Sequence, residues 1–307
     1  PYTTLFRSTG GAGALVTGDF SYSNNNGAGA GALGGFSDPD GSDAVVTATT
    51  DAPFVLSDFL TFGTNDTIAA AATALYDGAD NAAATTAVAL TNRDTTAPTF
   101  TARETADADG NGQIDRIRIA FDEPVDDATV DHTEFTVTGY TVTGADTGAT
   151  ANDAEVFLLL TESGSPDSGA TPGIQYTGAT LEDRNGNALA AEGAATTAAD
   201  AALPVLLSAE SVVGTTDLQL TFSEAVYTTT GGAGALIAAD FAYADGNTAG
   251  ATAVSGLTEA DGSDAVVTVT TNAALLLSDF LGSGVHDSVG PAATAIYDGA
   301  DNAAATT

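Results

Sequence analysis

Residues 9–86 and 230–307 are two copies of one sequence. They align without a gap at a shift of 221 residues, 49 of the 78 positions are identical, and both copies begin TGGAGAL and end YDGADNAAATT. A chain made of duplicated blocks folds as tandem units that each close an interior, rather than as one large domain. A finer repeat lies within the long one. Asp77, Asn81, Asp94 and Pro98 recur as Asp183, Asn187, Asp200 and Pro204, each shifted by 106. A D-x-x-x-N domain end followed by a D-x-x-x-P linker accounts for the pattern, because proline fixes φ and biases the residue before it towards extended backbone. The boundaries that follow are an N-terminally truncated domain at 9–97, a complete one at 98–203, and one at 204–307 that is homologous to the first and lacks its last strand.

The second copy is preceded by LQLTFSEAVYTT, a good strand, whereas the first is preceded by PYTTLFRS. That octet resembles the translation of the end of a short-read sequencing adapter. Residues 1–8 are therefore expected to be an artefact that stands outside the fold, replacing upstream sequence. The first copy continues as AVALTNRDTTAP where the second stops at Thr307, so the downstream end is expected to be cut as well.

Period-two alternation recurs in every unit. Ile117, Ile119 and Phe121 share one face of IRIAF, and Leu218, Leu220 and Phe222 share one face of LQLTF. FTVTG (135–139) and AVVTVTT (265–271) alternate in the same way, while VFLLL (156–160) is apolar on both faces and reads as a central or covered strand. Several short strands per hundred residues, separated by Gly, Asp and Asn turns, predict an all-β chain of tandem antiparallel β-sandwiches.

Charge narrows the range of partners. The chain has 41 acidic residues against six basic ones, all arginine, for a net charge of −35. Such a surface repels nucleic acid and anionic membrane, so neither is expected as a partner. Molar salt shortens the Debye length to about 3 Å and screens exposed carboxylates, and divalent cations neutralise clusters; a lysine-free, Asp-rich surface fits a halophile. Without cysteine there are no disulfides, and without lysine no Lys–Asn isopeptide crosslink. No apolar run approaches the 18 or so residues that span a bilayer.

DADGNGQIDRIRIAFDEPV, then LEDRNGNAL, then the D-x-x-x-P linker together resemble the Ig-like domains repeated in bacterial and archaeal surface-layer proteins, adhesins and filaments. LQLTFSEAV and IYDGADNAA carry the same landmarks in the third unit. The resemblance implies Ig-like sandwiches of about seven strands, an extracellular or cell-surface setting, and a spacer or assembly role. Copies of the chain itself are the expected partners, with strand donation as one route. The alternative is an adhesin whose loops or further domains bind carbohydrate or protein; Tyr22, Tyr140, Tyr176 and Tyr243 are too scattered to favour it.

The strongest candidate site is DADGNGQID. Asp107, Asp109, Asn111 and Asp115 occupy positions 1, 3, 5 and 9 of a calcium loop, Gly112 position 6, and Gln113 offers its carbonyl at position 7. Hard oxygen donors at this alternation suit Ca²⁺ better than a transition metal. Position 12 is Arg118 instead of Glu, so either the missing ligand comes from elsewhere in the domain, with Asp183 the candidate, or affinity is weak; extracellular modules commonly bind at about 10⁻⁴–10⁻³ M. The competing reading is an Asx-rich turn entering a strand. Asp94 and Asp200 either begin a turn before proline or ligate an interdomain ion. Asp77, Asn81, Asp183, Asn187, Asp298 and Asn302 read as Asx turns, and Asp40, Asp43, Asp261 and Asp264 as DGSD turns. His132 and His286 lack a nucleophile context, so an enzyme is not expected.

Overall fold

The computed structural model describes residues 5–6, 13–37, 45–59, 65–92, 94–258, 264–280 and 286–305; Asp40, Asp43 and Asp261 lie outside them. The chain divides into two compact units, Pro1–Thr95 and Thr96–Thr307. Every strand pairing in a named sheet is antiparallel, and among the described residues the α-helix is limited to one turn, α1 (Leu277–Phe280). The fold is all-β.

The first unit contains β1 (Leu5–Phe6), β2 (Phe20–Ser23), β3 (Leu33–Phe36), β4 (Ala48–Thr50), β5 (Thr67–Ala70), β6 (Tyr76–Asp77) and β7 (Val88–Ala89). They form a sheet in the order β2-β5-β7 and two pairs, β3-β4 and β1-β6. Leu5 and Phe6 pair with Asp77 and Tyr76, so the octet expected to stand outside the fold contributes two residues to it. An open strand edge bonds through main-chain groups, which any extended segment supplies.

The second unit holds two separate hydrophobic cores. The first lies in residues 100–202, built from β8 (Phe100–Ala106), β9 (Arg116–Phe121), β10 (Phe135–Val137), β11 (Thr141–Asp146), β12 (Glu155–Thr161), β13 (Gly173–Tyr176) and β14 (Thr196–Thr197). A four-stranded sheet, β11-β12-β9-β8, faces a three-stranded one, β10-β13-β14. Alternation decides which side chains meet between them: Ile117, Ile119 and Phe121 of β9 and Val156, Leu158 and Leu160 of β12 are buried. VFLLL is central, paired to β11 on one side and β9 on the other. Tyr176 of one sheet meets Phe100 of the other, with ring centroids 6.3 Å apart. On the outer face Arg118 bridges Glu104 and Glu155, one on each neighbouring strand.

The second core lies in residues 206–304 and comes from β15 (Leu206–Ser211), β16 (Asp217–Phe222), β17 (Phe241–Ala244), β18 (Val254–Leu257), β19 (Val266–Thr271) and β20 (Ser288–Pro291). Its sheets run β15-β16-β19-β18 and β17-β20. Leu218, Leu220 and Phe222 of β16 point inward, as the alternation requires. The sequence duplication is visible in the strand registers. Leu33 faces Thr50 and Val254 faces Thr271, with a bulge after each first residue, so β3-β4 and β18-β19 are one structure 221 residues apart.

Candidate metal centre

The DADGNGQID segment is the hairpin loop between β8 and β9, closed by the Asp115 N–H donating to the Ala106 carbonyl at 3.1 Å. Its acidic side chains fold onto its own amides. One Asp107 oxygen accepts from Gly110 at 2.8 Å and the other from Gly112 at 2.6 Å, while Asp115 accepts from Ala108 at 3.0 Å. Asn111 receives the Gln113 N–H at 2.9 Å. Burial pushes the Asp107 carboxyl up, against the loop amides that pull it down. The structure thus brings Asp107, Asp109, Asn111, Gln113 and Asp115 into one loop.

Asp183 does not join them. It bridges Val125, beyond the far end of β9, whereas the loop precedes the start of that strand. Six residues of strand separate the two, or roughly 20 Å. Burial opposes ionisation of Asp183, yet donors from Asn187 and Asn185 outweigh it and hold the carboxyl below its ordinary range. Two acids from outside do reach the loop: Glu162 accepts from Asn111 Nδ2 at 2.9 Å, and Asp167 accepts the Ile114 N–H at 2.9 Å. Glu162 follows β12, whose pairing with β9 carries its end to the loop.

The loop also meets the second core. Gly112 has φ +85°, and a Cβ there would stand 2.8 Å from Ser223 Cβ and 3.0 Å from Leu207 Cδ2. Its carbonyl accepts the N–H groups of Asp167 and Ser168, at 2.9 and 3.2 Å. Ser168 in turn lies 2.6 Å from Ser223 Oγ and donates to Glu224 Oε1 at 2.7 Å. These contacts join the two sandwiches into one compact unit, and Gly112 is one of the points where they approach tightly. Gly112→Ala is expected to cost about 1–3 kcal/mol, because it adds a left-handed alanine to a steric clash at the seam. Urea unfolding measures the loss.

At the same seam three carboxylates converge. Asp200, Glu224 and Asp298 can each offer an oxygen within 4.8 Å of the others, beside a cleft of about 510 Å³ lined also by Asp167, Ser223 and Tyr227. Asp200 comes from the D-x-x-x-P linker, Glu224 from the FSEAV that ends β16, and Asp298 from YDGADN. Asp298 is fully buried and forms an Asx turn, accepting from Ala300 and Asn302 amides at 2.8 Å and from Asn302 Nδ2 at 2.7 Å. Asp77 and Asp183 make the same turn with Asn81 and Asn187. Asn302 Nδ2 also reaches the Asp200 carbonyl, at 3.2 Å.

Burial first, then the Asp298 charge, pushes Asp200 up to about 6. Burial again, with the charges of Asp200 and Asp298, pushes Glu224 up to about 7. Among the described residues the arginine ion pairs go elsewhere, to Glu192, Asp115, Asp146, Glu104, Glu155 and Asp126. Hard oxygens crowded in a half-buried cleft, with no arginine paired to them, are the donor set that a hard divalent cation requires. In the seam as in the loop some of the carboxylate oxygens already accept hydrogen bonds, Asp298 from two amides and Glu224 from Ser168; what distinguishes the seam is three carboxylates that can bring oxygens within 4.8 Å of one another. Glu224 escaped the sequence reading, although Glu stands at the same place after the strand in FDEPV and FSEAV.

The tyrosines do not form an aromatic platform. Tyr22 is tied to Asp66, Tyr140 to Asp167 at 2.7 Å, Tyr176 to Glu134 at 2.9 Å and Tyr243 to Asp287 at 2.5 Å. Each hydroxyl is bound to a carboxylate within its own domain.

Comparison with known proteins gives one informative similarity. Over 105 residues, 33% of this chain, the sequence is 35% identical to a protein named outer cell wall protein from Brevibacillus brevis, of which the match covers 10%. The chain therefore aligns with a small part of that relative. No family model matches the chain, and no solved structure matches it.

Proposed function

We propose that this chain is a run of structural modules from a cell-surface layer or extracellular filament. Its repeats are Ig-like sandwiches at 9–97, 98–203 and 204–307, and the junction of the second with the third is stiffened by calcium. The observation that carries this reading is the seam between the second and third sandwiches. Asp200 from one and Glu224 and Asp298 from the other are crowded together there without an arginine ion pair among the described residues, so a cation that neutralises them also fastens the two bodies. The similarity to an outer cell wall protein supports the surface setting, and the Asp-rich, lysine-free composition supports a salty one.

In this reading the protein works mechanically. Two closed cores resist unfolding independently, the short linker ending at Pro204 limits the joint, and the ion sets its stiffness. The Asp107–Asp115 loop supports the joint from beneath through Gly112, and it offers a weaker second cation position with Glu162 as the added acid.

Assembly is the test. In molar salt with millimolar calcium the chain is expected to form ordered polymers, seen by sedimentation and negative-stain microscopy, and these should dissolve on adding chelator. A monomer under both conditions would reject the assembly role.

A further inference from the structure

A dipeptide of the second sandwich, Ser168-Gly169, sits inside its joint with the third. Ser168 is 0% exposed and Ser223 8%. Ser168 Oγ lies 2.6 Å from Ser223 Oγ and 2.7 Å from Glu224 Oε1. A hydroxyl carries one hydrogen and an ionised carboxylate none, so Ser168 gives its hydrogen to Glu224 and receives that of Ser223. Ser223 has its hydrogen to give because its oxygen already accepts the Val205 N–H, at 2.8 Å. The bonds run one way, from Val205 through Ser223 and Ser168 to Glu224, and cross the joint twice. Gly169 completes the seat. A Cβ there would stand 2.6 Å from Glu224 Oε2 and 3.3 Å from Glu224 Cβ and Cδ, so the glutamate lies in the space that the absent side chain leaves.

The second sandwich has the same corner with one change. Phe121 ends β9 and Phe222 ends β16, so Asp122 and Ser223 hold equivalent places, as Thr99 and Val205 do after Pro98 and Pro204. The main chain closes alike in both: Asp122 N–H donates to the Thr99 carbonyl at 3.0 Å and Ser223 N–H to the Val205 carbonyl at 2.8 Å. The side chain then accepts the N–H that follows the proline, at 2.6 Å for Asp122 Oδ1 from Thr99.

There the two corners part. The second Asp122 oxygen takes the Thr99 hydroxyl at 2.7 Å, so that corner closes on itself and has no hydrogen to offer a neighbour. Val205 has no hydroxyl, and the Ser223 hydrogen is left for the sandwich next door. An aspartate in the place of Ser223 would contest the single Ser168 hydrogen with Glu224, and it would add a fourth carboxylate beside Asp200, Glu224 and Asp298. Like charges crowded out of water repel, and an acceptor facing another acceptor makes no bond.

We infer that Ser168-Gly169 is a selective docking surface that sets which kind of sandwich follows the second. It accepts one whose first hairpin leads into Ser-Glu and whose linker proline precedes an aliphatic residue, and it refuses one that carries Asp-Glu with Thr. A sandwich of the second kind therefore does not seat on a copy of itself, and the order of kinds is written into the joint. The inference rests on the reading of the chain as a run of modules. It needs neither calcium nor polymer, so a test in chelator stands apart from the assembly test and from the ion.

The test transplants the corner of the second sandwich into the third. The full chain carrying Val205→Thr and Ser223→Asp is compared with the unsubstituted chain in molar salt and chelator near pH 8. Residual dipolar couplings should fit one alignment tensor for residues 100–202 and 206–304 of the unsubstituted chain and two different tensors in the variant. Exchange of the Asp167 and Ser168 amides, which bond the Gly112 carbonyl at the joint, should speed by about tenfold or more. Leu220 and Val269 should keep their protection, because the transplanted pair closes within its own sandwich. A single shared tensor with unchanged exchange at Asp167 and Ser168 would overturn the inference. Should Leu220 and Val269 lose protection, Ser168→Ala decides, since it removes the hydroxyl from the other side of the joint without adding charge. Exchange at Asp167 should then speed about fivefold, the worth of one hydrogen bond, and no change there would overturn the inference.

Discussion

Phe222→Ala is expected to destabilise the third sandwich by about 3–5 kcal/mol while leaving the second folded. Phe222 is 2% exposed and closes the inner face of β16 together with Leu218 and Leu220. Truncating it leaves a cavity that the surrounding sheets cannot fill. Because the two cores share no residues, amides of β15 to β20 should lose exchange protection while those of β8 to β14 keep theirs. The seam transmits part of the damage, so the residues around Ser168 and Gly112 should be the first of the second sandwich to loosen. Loss of protection across both cores together would mean that residues 96–307 form one cooperative body.

Lowering the pH from about 8 to about 5 without divalent cations should stabilise the second unit by roughly 1–2 kcal/mol, the shifts being discounted for the solvent that screens these part-exposed groups. The sign follows from the seam. Glu224 and Asp200 titrate higher in the folded state than a free carboxylate does, so between the unfolded and folded values the folded chain binds more protons. The cost of keeping them buried and charged, beside the Asp298 charge, is fully present above about 7, the Glu224 value, and is relieved as pH falls through about 7 and then about 6. Exposed carboxylates give a similar trend at low salt, but molar salt screens them. The seam contribution should persist there, and Glu224→Gln should remove most of it. Chemical denaturation at several pH values, in molar salt, makes the comparison. A flat profile for the unsubstituted chain would show that the three carboxylates are not held together.

The duplication announced tandem units, and the alternation of IRIAF and LQLTF located the inward faces of β9 and β16. The reason is local: a strand with one buried face writes its pattern into every second residue. The Asx turns at Asp77, Asp183 and Asp298 were legible for the same reason, since donor and acceptor lie within four residues. The seam was not. Ser168 meets Glu224, and Asp200 meets Asp298, across 56 and 98 positions of chain, and only the docking of one sandwich on another brings them together. Asp183 illustrates the converse. Its recurrence marked it as important, but nothing in its neighbours told that the strand between would carry it to the far end. Arg118, which breaks the calcium-loop pattern at its last position, serves the outer face of the sheet instead, between Glu104 and Glu155.

The most direct measurement is a calorimetric melt of the full chain and of its Glu224→Gln form, in molar salt near pH 8, with chelator and then with calcium at about ten times the dissociation constant. Calcium should stabilise the unsubstituted chain by about 1.4 kcal/mol per site filled, and that gain should shrink sharply in the Glu224→Gln form. An identical calcium response in both, or none in either, would contradict an ion-fastened seam.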